Sequence, residues 1–247
     1  MMIREIQVKS ILSKSRVYDY VVNPYVGCEH ACTYCYARFM KRFSGHAEPW
    51  GQFVDVKINA PDLLSAEIKK KKRGRVWVSG VCDPYQPLEW RYKLTRRCLE
   101  ILVENGWPVV VQTRSPLVIR DRDILEKAAD LEVGISVTTA LEKFRKLFEP
   151  SAPPIRERIR ALDELHRAGI RTFAMIAPLL PGAGLLPLLL KGKVDCILVD
   201  RMNYNYANWV YRTYQIEDKC SPDFFAREVR ELGANCAALG VECRTLF

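Results

Sequence analysis

No stretch of this chain is apolar for long enough to cross a bilayer. The longest candidate, Ala177 to Leu190, is interrupted by Pro178, Pro181, Gly182, Gly184 and Pro187, which excludes a spanning helix. The N-terminus, Met1-Met2-Ile3-Arg4-Glu5, lacks the apolar core of a signal peptide, so no membrane partner and a cytoplasmic location are expected. There is no repeat of fixed period and no low-complexity linker, and the 247 residues therefore read as one domain. No second Cys-x2-Cys pair occurs, which removes the two-pair framework of most structural zinc sites.

What is present is the composition of an ordinary globular protein, with 49% apolar and 27% charged residues. Nine cysteines are many for a compartment where thiols stay reduced, and they point to metal ligation before disulfides. Lys and Arg outnumber Asp and Glu by 38 to 29, a net charge of +9 that favours an acidic partner, nucleic acid first.

Short β-branched runs at Arg75–Ser79, Pro108–Gln112, Val133–Val137, Thr172–Ile176 and Cys196–Val199 read as buried strands. An earlier strand is expected near Tyr20–Asn23 and a last one after Gly240. Between them lie helical stripes: Leu94, Cys98, Ile101 and Leu102, then Ile155, Ile159, Leu162 and Leu165 up to a stop at Gly169. Ser221-Pro222-Asp223 starts a helix whose stripe runs from Phe225 to Leu239 and ends at Gly240. Strands alternating with helices predict an α/β fold, a partial (β/α) barrel with its site at the C-terminal ends of the strands.

The decisive segment is Cys28-Glu29-His30-Ala31-Cys32-Thr33-Tyr34-Cys35-Tyr36, on a loop after the first predicted strand. Thiolates in this density select iron–sulfur clusters or zinc. Cys28, Cys32 and Cys35 would leave one iron of a four-iron cluster open to a small molecule. The alternatives are a local zinc knuckle completed by His30, or cysteines buried as small apolar groups.

The Cys-x3-Cys-x2-Cys spacing followed by an aromatic resembles the radical S-adenosylmethionine (radical SAM) superfamily. Ser79-Gly80-Val81-Cys82-Asp83-Pro84-Tyr85-Gln86-Pro87-Leu88-Glu89 is similar to the T-D-P-Y-Q-P-x-E signature of its spore photoproduct lyase-like subgroup. Thr113-Arg114-Ser115 resembles that group's T-K-S, Ser136-Val137-Thr138-Thr139 its S-I-T-T, and Glu149-Pro150 with Pro153 and Arg158 its E-P-x-A-P…R stretch. Cys82 stands where the pattern has threonine, and Arg114 where it has lysine.

The resemblance implies a (β/α)6-type barrel over about residues 18–200, with a strand and helix extension over about 201–247. It implies a [4Fe–4S] cluster on Cys28, Cys32 and Cys35, S-adenosylmethionine chelated at the open iron, and a ferredoxin- or flavodoxin-like electron donor. Tyr36, Asp83, Gln86, Thr113, Ser136 and Arg158 are the implied cosubstrate contacts, with Tyr36 beside adenine and Arg158 on the carboxylate. Cys82 and Tyr85 are the candidate hydrogen donors. The implied activity is repair of a DNA photoproduct; a radical enzyme acting on protein or RNA, and a metal-binding nucleic-acid module without catalysis, are the alternatives.

Outside these motifs, Cys98, Cys196 and Cys236 read as core, whereas Cys220, Cys236 and Cys243 form a conceivable auxiliary cluster. The segment Arg201–Tyr214 interleaves four tyrosines and Trp209 with arginine and asparagine. That pattern suits base stacking and phosphate pairing, or else a cover over the barrel edge.

Overall fold

The computed structural model describes residues 1–246. Its strands are β1 (Met2–Ile6), β2 (Leu12–Lys14), β3 (Tyr20–Val22), β4 (Tyr25–Val26), β5 (Phe53–Lys57), β6 (Val76–Val78), β7 (Val109–Thr113), β8 (Leu131–Ser136), β9 (Arg171–Ile176), β10 (Cys196–Val199) and β11 (Glu242–Thr245). Eight of them form one sheet in the order β11-β10-β9-β8-β7-β6-β3-β2. Every pair is parallel except the β2–β3 edge. The seven parallel strands thus follow one another in chain order, each separated from the next by helix, as in a barrel left open. Among the described residues, the two edges of this sheet do not pair with each other.

The strands form where apolar, β-branched residues recur because one face of the sheet is covered by helices. Val76, Val78, Val109, Val111, Val133, Ile135, Ala174, Ile176, Ile197 and Val199 are all buried in one core with residues of the covering helices. Those helices obey their end signals. The Ser221 hydroxyl accepts a hydrogen bond from the Phe224 amide at 3.2 Å, and the helix Pro222–Leu239 closes on Gly240 at φ 65°.

A small second sheet, β1-β5-β4, supports the cysteine loop from outside the main one. Tyr25, Val54, Val56, Leu88 and Leu94 make its core. Gly27, at φ 93°, lies so close to β5 that a Cβ there would collide with the Phe53 carbonyl. The residue before Cys28 must therefore be glycine, for space as well as for its dihedral. Among the described residues no helix is long and apolar enough to cross a membrane.

Candidate active site

The C-terminal ends of the strands converge on one cavity of about 470 Å³. Ser79, Thr113, Ser136, Ala177 and Asp200, each ending or following β6, β7, β8, β9 or β10, all line it. The cysteine loop forms the opposite wall through Cys28 and Cys35, with Tyr36 beside them.

The loop is held by side chains from three directions. Gln86 accepts from the Glu29 amide at 3.0 Å and donates to the Gly27 carbonyl at 3.3 Å. Glu29 in turn accepts from the Leu88 amide at 2.6 Å. On the far side, the amide and hydroxyl of Thr33 donate to the Phe148 carbonyl at 2.9 and 3.2 Å. Beneath the loop, His30 is buried and its Nε2 stands 3.2 Å from Asp83 Oδ2.

Asp83 is the hinge between loop and sheet. It accepts from the Tyr85 amide at 2.9 Å, the Thr113 hydroxyl at 2.5 Å and the Arg114 amide at 2.8 Å. Burial alone would raise its carboxyl, but His30, Thr113 and Arg114 outweigh that and hold it at about 2. A second buried carboxylate, Glu149, accepts from Tyr34 and from the Thr138 hydroxyl at 2.9 Å, and pairs with Arg158 at 2.6 Å.

The thiols fit a cluster by their chemistry. Burial pushes Cys32 up to about 12 as a free thiol, and Arg114 opposes the shift. Arg114 Nη1 donates to Cys32 Sγ at 3.1 Å. The Trp50 indole N–H, buried and without another partner among the described residues, lies against Cys35. Two donors thus face sulfurs that gain acceptor strength once they ligate iron as thiolates. Among the described residues no three His, Cys, Asp or Glu side chains come together as ligands of a metal ion; the thiolates of a four-iron cluster each take a different iron. His30, the fourth ligand of the zinc alternative, pairs with Asp83. Cys236 lies against Cys243, while the Cys220 thiol turns to the Glu217 carbonyl at 3.1 Å, so the auxiliary cluster does not assemble.

Of the residues singled out in the sequence, Tyr36, Cys82, Asp83, Thr113 and Ser136 line the cavity. Three do not reach it. Tyr85 is fully buried in the main core, near Asp121 and Arg120. Gln86, also fully buried, spends its amide on the loop backbone. Arg158 lies behind the wall, bound to Glu149, to the Ser136 carbonyl at 3.1 Å and to the Pro153 carbonyl at 2.8 Å. Its charge is already matched, and it meets Ser136 through the backbone, not through a ligand.

No motif points to Asn23, whose Oδ1 accepts from the Ser79 hydroxyl and from the Gly80 and Val81 amides at 2.6, 2.9 and 3.0 Å. An asparagine before Pro24 at a strand end is its one signal in the sequence. Nor does any motif mark His30 and Trp50 as supports of the loop. Ser79 stands 3.0 Å from the Cys82 sulfur, so Asn23 fixes the placement of Cys82 in the wall.

At the cavity mouth Tyr204 stacks on Tyr206, with ring centroids 5.4 Å apart and planes within 3°. Arg38, from the turn after the cysteine loop, caps Tyr206 at 4.8 Å. Trp209 is exposed beyond them, but Tyr211 is buried against Phe148 at 4.9 Å and takes no part in this surface.

The radical SAM superfamily model matches residues 22–184, which include the cysteine loop and strands β6 to β9. The chain belongs to the radical SAM superfamily. Members of this family use a [4Fe–4S] cluster and S-adenosylmethionine, and the family match weighs against the module without catalysis. The uncharacterized protein MJ0683 of Methanocaldococcus jannaschii is 39% identical over 162 residues, 66% of this chain and 61% of that one. The chain thus spans about three-fifths of that curated relative's length. Among solved structures, spore photoproduct lyase complexed with dinucleoside spore photoproduct superposes with a TM-score of 0.74 at 11% identity, covering 99% of this chain and 82% of that one. SuiB of Streptococcus suis bound to precursor peptide SuiA gives a TM-score of 0.61 at 16% identity, covering 92% and 48%. At these identities the superpositions establish a shared fold.

Proposed function

We propose that this radical SAM enzyme acts on a damaged or modified base carried by DNA, in the manner of spore photoproduct lyase. The observation that carries the reading is the ladder of Tyr204, Tyr206 and Arg38 at the mouth of the cavity. Exposed bases stack on flat aromatic faces and a guanidinium donates to phosphate oxygens, which matches the chain's excess of positive charge. A base reaches a buried reactive centre only after leaving its stack, and a stacking surface at the entrance lowers that cost.

Cys28, Cys32 and Cys35 would hold the cluster, which together with S-adenosylmethionine would supply one-electron cleavage of the sulfonium and hydrogen abstraction. Tyr36, pinned through its hydroxyl to the Gly80 carbonyl, presents its ring to the cosubstrate, and Ser136 presents its hydroxyl from the end of β8. Cys82, with burial pushing its thiol up to about 11, keeps its S–H at neutral pH and holds a transferable hydrogen at the wall. The full burial of Tyr85 favours the thiol over the phenol for that role.

The test is anaerobic turnover of the reconstituted protein with S-adenosylmethionine, a reductant and DNA carrying a spore photoproduct. The expected result is lesion loss with release of 5′-deoxyadenosine. Tyr204→Ala should weaken binding to that DNA by roughly 5- to 100-fold, the value of one lost base stack. Unchanged lesion and unchanged binding would remove DNA as the substrate. A peptide is the second reading, favoured by a further cavity of about 650 Å³ that shares Arg201, Met202 and Asn203 with the first and is walled by Phe225 and Val229.

A further inference from the structure

Arg114 reaches both the cavity and the cysteine loop. It lines the cavity, yet its terminal nitrogens point into the loop: Nη1 donates to Cys32 Sγ at 3.1 Å and Nη2 to the Tyr34 hydroxyl at 3.4 Å. Its backbone amide is fixed by Asp83 at 2.8 Å. The Tyr34 hydroxyl donates to Glu149, which is locked to Arg158. The side chain is thus clamped at its base and at its tip, and its charge is permanent. A lysine, as a compact point charge, would not span the sulfur and the hydroxyl together; the planar fork does.

We propose that Arg114 is a positioning residue that sets the reduction potential of the cluster through Cys32. The inference rests on Cys32 as a cluster ligand. A hydrogen bond and a cation beside a ligating sulfur stabilise the reduced, more negative cluster over the oxidised one, and so raise its potential. Among the three ligating sulfurs, the hydrogen bond of Arg114 goes to that of Cys32.

The experiment is an electron-paramagnetic-resonance-monitored reductive titration of the anaerobically reconstituted protein and of Arg114→Lys, Arg114→Gln and Arg114→Met. The midpoint potential should fall in that order, with Lys retaining charge, Gln retaining only a donor and Met neither. Variants are compared at equal iron content, so a variant that loads less still reports its potential. The equilibrium affinity for S-adenosylmethionine is measured in parallel. An unchanged midpoint in the Gln and Lys variants overturns the proposal, and weakened cosubstrate binding at unchanged midpoint reassigns Arg114 to the cosubstrate. Cys32→Ala separates the premise from the inference: a cluster fully retained in that variant shows that Cys32 is not a ligand, whatever the Arg114 variants do.

Discussion

Two buried carboxylates organise the residues around the reaction cavity, and Glu149 carries the larger structural burden. It is fully buried, as is Arg158, and it joins the cysteine loop through Tyr34 to the segment after β8 through Thr138. Burial alone would raise its carboxyl, but Arg158, Arg114 and the Tyr34 hydrogen bond hold it at about 2, against an ordinary 4.5. A carboxyl lowered in the folded state contributes stability above its unfolded value and loses it as pH falls through the folded one. Stability should therefore drop between pH 4.5 and about 2, and Glu149→Gln should flatten that drop in melting temperature. The same variant leaves Arg158 as an unmatched buried charge and should cost about 3–5 kcal/mol at neutral pH, read from denaturant midpoints. The cysteine loop was legible in the sequence because its meaning lies in local spacing. Arg158, Tyr85 and Gln86 were not legible in the same way, because motif position places a residue near a strand end without saying whether the side chain turns to the cavity or to the core.

Whole elements were legible where burial imposes a pattern. The strand at Cys196–Val199 runs as expected, and the others differ by a residue or two at their ends. Of the small sheet, β1 and β4 were hidden for a physical reason, since β1 is almost wholly exposed and β4 has two residues, whereas the buried Phe53, Val54 and Val56 of β5 were an available signal. Register within the main sheet depends on details that no periodicity reveals. Gly134 of β8 pairs with Phe173 of β9, and a Cβ on Gly134 would collide with that ring. Phe173 also lines the cavity, so overpacking at β8 is transmitted to the site. Gly134→Ala should destabilise the fold by about 1–3 kcal/mol, and Phe173→Leu in the same chain should recover part of the loss in urea denaturation. Full additivity of the two changes would show that they do not share this contact.

At the scale of the molecule, one parallel sheet gathers residues distant in sequence onto a single rim, and the loop between β4 and β5 closes it from the other side. Cys82, Thr113 and Ser136 share a cavity only because parallel strands present the same end to it, and the loop brings Cys28 to face them. The aromatic ladder joins that rim from two separate segments, Arg38 from the cysteine loop side and Tyr204 with Tyr206 after β10. The most direct measurement is anaerobic reconstitution of the purified chain, with iron and sulfide counts, resonance spectroscopy of the reduced protein and quantification of 5′-deoxyadenosine. The account predicts about four irons per chain, a four-iron cluster signal, nucleoside release that depends on S-adenosylmethionine, and loss of all of these when Cys28, Cys32 and Cys35 are replaced together by alanine. A cluster that survives the triple replacement, or a loaded wild-type protein that leaves S-adenosylmethionine intact, would contradict it.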